Sequence, residues 1–225
     1  MTHSISEQSV EELGGQASVL ARQRRDHAEL DRMMTLYESG HGSPEDRRRT
    51  LEDIVRLTFS HAFAEETVLW PALRRLAPDG EELTARVESE HQRINDLVTE
   101  MERIGPDDPR HDELATEAFA LIRQDIRDEE DLLLPRLQAS LDTARLRRLG
   151  STWETVRRTA PTRPHPGVPR RPPANALLGV PLSAFDRARD LLPAGGRAVR
   201  GGTLAAAAAC LGAAWLVTRR RRGGR

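Results

Sequence analysis

Three histidines and three carboxylates have the types and the spacing to do chemistry together. His61 and Glu65 are four residues apart, as are Asp125 and Glu129, so each pair projects from one face of a helix. His27 and His91 each precede their pair by 34 residues. The whole set is duplicated: a shift of 64 residues maps His27 onto His91, His61 onto Asp125, Glu65 onto Glu129, Glu66 onto Glu130 and Pro71 onto Pro135. Asp26 falls on Glu90, and the apolar Leu30, Leu57, Leu69 and Leu73 fall on Ile94, Leu121, Leu133 and Leu137. Three imidazoles and at least three carboxylates suit one or two first-row transition ions, with carboxylates bridging and imidazoles capping the outer positions. One His/Glu pair on an Arg/Glu-rich helix is ordinarily solvated. Matched positions on four helices, flanked by Phe59, Phe63, Ile126 and Leu133, point instead to a shared interior site. Glu66, Asp128, Glu130 and Asp131 read as exposed-face charges, and His3, His41, His111 and His165 as terminal, loop or linker bystanders.

The elements that must position these residues are four long helices, from about Gln16 to Glu38, from an N-cap at Ser43 to Leu76, from Glu81 to Ile104, and from Pro109 to Leu141. Ser39-Gly40, Ala77-Pro78-Asp79-Gly80 and Gly105-Pro106 punctuate them. Nothing alternates with period two, so no sheet is expected. Short connections between amphipathic helices imply an all-α, up-down four-helix bundle, in which two equivalent hairpins face each other across a pseudo-two-fold axis.

The stretches Arg25-Asp26-His27-Ala28-Glu29-Leu30, His61-Ala62-Phe63-Ala64-Glu65-Glu66-Thr67-Val68-Leu69-Trp70-Pro71, Glu90-His91 and Glu129-Glu130-Asp131-Leu132-Leu133-Leu134-Pro135 resemble the motifs of the hemerythrin-like HHE cation-binding domain. The resemblance covers roughly the first 145 residues. It implies a bundle holding a non-haem centre of two iron ions, with roles in oxygen binding or sensing, iron handling, or response to oxidants and nitric oxide. It places His27, His61, Glu65, His91 and Glu129 at ligand positions. Two departures matter. Asp125 stands where the family's second motif has histidine, and Asn95 stands where oxygen carriers have a further histidine one turn after His91. A site richer in oxygen ligands favours harder, more oxidised ions, which argues against efficient reversible oxygen carriage. Manganese or zinc in place of iron, and a single ion in place of two, stay open.

Composition narrows the chemistry further. All 34 basic residues are arginine, so a Walker-type phosphate loop, a Schiff-base lysine and a lysine general base are excluded. No Ser/His/Asp or Cys/His arrangement is assignable, and no catalytic residue is expected. The lone Cys210 rules out an intramolecular disulfide. The near-neutral total of −1 conceals a split: 20 arginines against 32 acids leave residues 1–150 at −12, and 14 arginines against three acids leave residues 151–225 at +11. The first thirty residues lack the basic start and apolar run of a secretory signal, so a cytosolic body is expected. Six prolines between Pro161 and Pro173, interleaved with Arg163, Arg170 and Arg171, read as an extended linker. Residues 201–218 are uncharged. As helix they would span about 27 Å, close to the roughly 30 Å of bilayer hydrocarbon. Trp215 near their end and Arg219 to Arg222 after it suit a membrane interface. Nucleic acid is a poorer partner for the basic tail, which has few aromatics for base stacking.

The expected organisation is an N-terminal extension (1–15), the metal-binding bundle (16–145), a Pro/Arg-rich linker with short helices (146–200), a transmembrane or membrane-surface helix (201–218) and a basic tail (219–225). The expected function is a non-haem iron protein that meets a small diatomic ligand, oxygen or nitric oxide, in sensing or iron handling. A metal-free helical interaction module whose interior acids pair with arginines, and a di-metal oxidoreductase, are the competing readings.

Overall fold

The computed structural model describes residues 3–165 together with 167, 171, 182–184 and 186. Among the described residues the chain is helical and contains no strand. Helix α1 spans Val19–Glu38, α2 Pro44–Ala64, α3 Trp70–Leu76, α4 Gly80–Ile104, α5 Arg110–Asp128, α6 Leu134–Ser140 and α7 Thr143–Thr159. Local chemistry sets the starts. The Ser18 hydroxyl accepts from the Leu20 amide at the head of α1, and Ser43 and Asp46 form a reciprocal capping box before Pro44 at the head of α2. Helix α4 ends where Gly105 takes φ +80°, a conformation that L side chains resist.

Helices α1 and α2 form one hairpin and α4 and α5 the other. Between α2 and α3 lies a π-turn, Glu65–Leu69, and between α5 and α6 its repeat counterpart, Glu129–Leu133. In each, an amide donates five residues back, Trp70 to Glu65 and Leu134 to Glu129. Pro71 and Pro135 explain the position of the wider turn. Neither has an N–H to donate to the carbonyl four residues earlier, so the α-helical ladder breaks one turn before each proline.

The core falls into two apolar clusters separated by a polar layer. One contains Leu20, Leu69, Trp70, Leu73, Val87, Leu133, Leu137 and Trp153. The other contains Leu30, Met34, Tyr37, Ile54, Phe59, Ile94, Met101, Phe119 and Ile122. On all four bundle helices the buried histidines and acids lie between positions belonging to these two clusters. Each fully buried large apolar side chain contributes about 1.5–3 kcal/mol, so both ends of the polar layer are held by well-packed slabs.

Two segments depart from the expected organisation. Residues 3–15 are docked: Ile5 and Leu13 are fully buried, and the Gln8 and Gln138 side-chain amides bond each other. The stretch expected as linker from residue 146 is occupied up to Thr159 by the seventeen-residue α7, which packs against α1, α2 and the first π-turn. Leu146, Leu149, Trp153 and Val156 recur at helical spacing and supply its apolar face. Residues 201–218, the expected membrane helix, lie outside the described residues; within them no helix is long and apolar enough to cross a bilayer.

At Gly150 the backbone of α7 runs close against the segment that leads into α1. A Cβ there would lie 2.4 Å from the Ala17 carbonyl oxygen and 2.8 Å from the Val19 amide nitrogen. Replacing glycine by alanine in a helix ordinarily stabilises it by up to about 1 kcal/mol. Here the contact is with backbone that cannot rotate away, and Gly150→Ala is expected to destabilise by about 1–3 kcal/mol. Urea unfolding of the two proteins checks the sign.

Candidate metal centre

The polar layer brings together all six residues singled out by spacing. His27 lies on α1, His61 on α2, Glu65 at the start of the first π-turn, His91 on α4, Asp125 on α5 and Glu129 at the start of the second π-turn, and all six are buried. Their ligand atoms form two groups within 4.8 Å, one of His27, His61, Glu65 and Glu129, the other of His91, Asp125 and Glu129. Glu129 belongs to both. Its Oε2 lies 3.2 Å from His27 Nε2 and its Oε1 3.8 Å from His91 Nε2. Glu65 is placed in the same way, Oε1 3.0 Å from His61 Nε2 and Oε2 3.8 Å from His91 Nε2. His91 Nε2 is also 3.2 Å from Asp125 Oδ2, and the Nε2 atoms of His27 and His61 are 3.2 Å apart.

Each imidazole turns Nε2 inward with a carboxylate on the side of its other nitrogen, hydrogen-bonded to His27 and His91 and at ion-pair distance from His61. Glu130 lies 2.8 Å from His27 Nδ1, Glu66 2.9 Å from His91 Nδ1, and Asp26 3.6 Å from His61 Nδ1, the last an ion-pair distance rather than a hydrogen bond. A carboxylate at Nδ1 keeps the proton there and leaves the Nε2 lone pair facing the centre, as metal-ligating histidines require. Glu66 and Glu130 are therefore not exposed-face charges. Glu66 is 1% exposed and Glu130 half-buried; in each π-turn the widened backbone lets two consecutive glutamates face inward, the first to the centre and the second to a histidine of the opposite hairpin. Asp128 is also buried, on Arg86 at 2.6 Å, whereas Asp131 is exposed. His3, His41 and His111 stay outside the cluster, and His165 pairs with Asp186 at 3.1 Å. The signal that could have revealed Glu66 and Glu130 is the repeat itself, which maps one onto the other.

The donor set suits a cation. Both oxygens of Glu65, Oε1 of Glu129 and Oδ1 of Asp125 are buried with no hydrogen-bond partner. A buried polar atom left without a partner costs about 1–3 kcal/mol, and more when charged. A metal ion satisfies several of these oxygens at once and takes the three Nε2 lone pairs as well.

Residues 18–137 match the family model of the hemerythrin HHE cation binding domain. The chain belongs to that family. An uncharacterized hemerythrin-like protein of Schizosaccharomyces pombe is 23% identical over 133 residues, covering 59% of this chain and 66% of the yeast protein, just under two thirds. No solved structure matches at comparable significance. All six clustered residues fall inside the HHE match, and α7 begins beyond it.

The electrostatics of the HHE cluster set a pH dependence for the protein stripped of metal. Burial opposes charge on His27, but hydrogen bonds to Glu129 and Glu130 outweigh it and push its pKa up to about 10. Burial likewise opposes His61, but Glu65 and Asp26 push it up to about 9. Burial, then the charges of Glu65 and Asp125, hold Glu129 up at about 8. A group whose folded pKa is raised contributes stability below its unfolded pKa and loses it as pH rises through the folded value. For the two histidines that window runs from about 6.5 to about 9–10, and Glu129 loses its share in the same direction by about pH 8. The chelator-treated protein should therefore melt at progressively lower temperature between pH 6.5 and 10, and metal-loaded protein, in which a cation replaces the protons, should not. Melting curves across this range check it; a flat profile for the stripped protein would contradict the assignment.

Proposed function

We propose that this HHE protein is a non-haem iron protein, holding up to two ions between His27, His61, Glu65, His91, Asp125 and Glu129, that serves oxygen, oxidant or nitric oxide sensing or iron handling rather than reversible oxygen carriage. The observation that carries it is the convergence of three inward-facing Nε2 atoms, each backed by a carboxylate, on carboxylate oxygens that have no other partner. Bound iron would supply Lewis acidity and a redox couple at which a diatomic ligand or oxidant can act. The chain's own residues do the rest. Glu129 belongs to both groups and Glu65 reaches from the first toward His91, so these two carboxylates would be the ones to hold two ions together, the three imidazoles would supply nitrogen donors, and the apolar slabs flank the layer on both sides.

Asp125 and Asn95 support the bias against carriage. Asp125 gives the second half a carboxylate in place of an imidazole, and Asn95 is 1% exposed, one turn from His91, with its Oδ1 unpartnered. The reading as a metal-free module needs arginines on the interior acids. Among the described residues the ion pairs of Glu65, Asp125 and Glu129 are with histidines. Aerobic purification with metal analysis and an absorption spectrum tests the proposal. The expected result is up to two irons per chain with an oxo-bridge charge-transfer band; substoichiometric metal without the band sinks the di-iron reading. Asp125→His should raise oxygen affinity and alter the spectrum, and unchanged metal content and spectrum would remove Asp125 from the ligand set.

We further propose that residues 201–218 attach the domain to a membrane, on the strength of their uncharged run, Trp215 and the arginines that follow. Full-length protein should pellet with anionic vesicles and a chain lacking residues 201–225 should not; equal recovery in the supernatant would count against attachment.

A further inference from the structure

Helix α7 lies beyond the HHE match, yet its side chains reach the candidate centre from outside. Trp153, fully buried, sets its ring edge-on to the His61 imidazole with centroids 5.3 Å apart at 82°. Arg157 Nε is 3.4 Å from Asp26 Oδ2, the same oxygen that lies 3.6 Å from His61 Nδ1. Glu154 contacts Arg22 of α1 at 3.2 Å and Arg157 of its own helix at 3.2 Å, which fixes the guanidinium between α7 and the bundle. Arg157 also lies over the Trp153 ring, 5.4 Å from its centroid. A chain of contacts thus runs from Glu154 through Arg157 and Asp26 to His61, with Trp153 limiting the tilt of the imidazole.

The other half of the centre is built differently. The repeat counterpart of Asp26 is Glu90, which pairs with Arg86 one turn earlier on its own helix, and the counterpart of His61 is Asp125. The half that retains its second histidine is the half that α7 covers. Asp26 is 5% exposed, and a cation beside a buried carboxylate offsets the cost of desolvating it, which helps to hold it in place behind an imidazole. Arg25 meets Oδ1 from a side chain 54% exposed, whereas Arg157, 21% exposed, meets the oxygen that faces His61.

We propose that Arg157 and Trp153 are positioning residues for His61, so that docking of α7 slows the release of a cation held by His27, His61, Glu65 and Glu129. This rests on the metal-binding reading above. The test uses the full chain loaded anaerobically with iron(II), followed as iron passes to excess chelator, beside thermal melting of the stripped protein. Loss of a partner behind a metal ligand costs about 10–100-fold in affinity, so Arg157→Gln should speed release about tenfold. Asp26→Asn should do the same, and the double variant should release no faster than Asp26→Asn alone, because Arg157 acts through Asp26. Arg157→Lys should restore most of the slow release. Wild-type release rates in Arg157→Gln, or rate effects that simply add in the double variant, overturn the proposal. So does a drop in the stripped protein's melting temperature that Asp26→Asn does not share, which assigns Arg157 to packing. Should Arg157→Gln fail to fold, Glu154→Gln frees the guanidinium without removing it. Faster release there supports the proposal and unchanged release overturns it. A wild-type chain that takes up no iron overturns the metal reading itself, and with it this one.

Discussion

Charge buried in one layer of the bundle is the constraint to which the rest of the molecule answers. Glu65, Glu129 and Asp125 sit among three histidines between two apolar slabs, where an isolated ion would cost several kcal/mol after relaxation. Each carboxylate must therefore face a positive partner. Imidazoles provide it, and their raised proton affinities follow from the same pairing. Glu65 shows the balance: burial pushes its pKa up, but the three histidine charges outweigh it and hold it down. A cation can replace the protons without changing the electrostatic logic. A proton-stabilised cluster and a metal centre are in this sense two fillings of one design.

The repeat explains how the layer is assembled. Each hairpin carries its own histidine and a π-turn beginning at a glutamate, and the second glutamate of each turn crosses to the histidine of the other hairpin: Glu66 to His91, Glu130 to His27. The crossing contacts tie the hairpins together at the level of the site, so the same side chains orient the imidazoles and join the two halves. The symmetry is broken at Asp125, and Glu90 beside it shows the consequence. Burial first, and then the Asp125 charge, raise its carboxyl above the usual range, where its counterpart Asp26, beside an imidazole and Arg157, is held at about 2 despite its burial. Helix α7 deepens the asymmetry by covering the His61 side.

Much of this was legible before folding. The helix start at Ser43 and the stop at Gly105 follow from capping and backbone chemistry that involves only near neighbours, whereas the first helix, expected from about Gln16, begins after the Ser18 cap. The six clustered residues were visible because a period of 64 residues and an i to i+4 spacing are both properties of the chain alone. Glu66 and Glu130 were not, because at ideal helical pitch a residue next to an inward-facing one turns away, and only the π-turn brings both inside. Helix α7 was not legible because the prolines and arginines that follow it from Pro161 onward made the whole stretch from residue 146 read as linker. Its narrow stripe of Leu146, Leu149, Trp153 and Val156 becomes meaningful only with a surface to bury it.

The sequence by itself singled out the six histidines and carboxylates that cluster and their order along the chain, because residue type, spacing and caps are read along the chain. Tertiary structure alone decided which carboxylate stands behind which imidazole, that Glu129 is shared between the two ligand groups, and that a helix outside the HHE match braces His61. Those pairings join residues from 25 to 131 positions apart. No local propensity specifies partners over such separations. They are selected when the hairpins close on one another and each buried charge settles beside an opposite one.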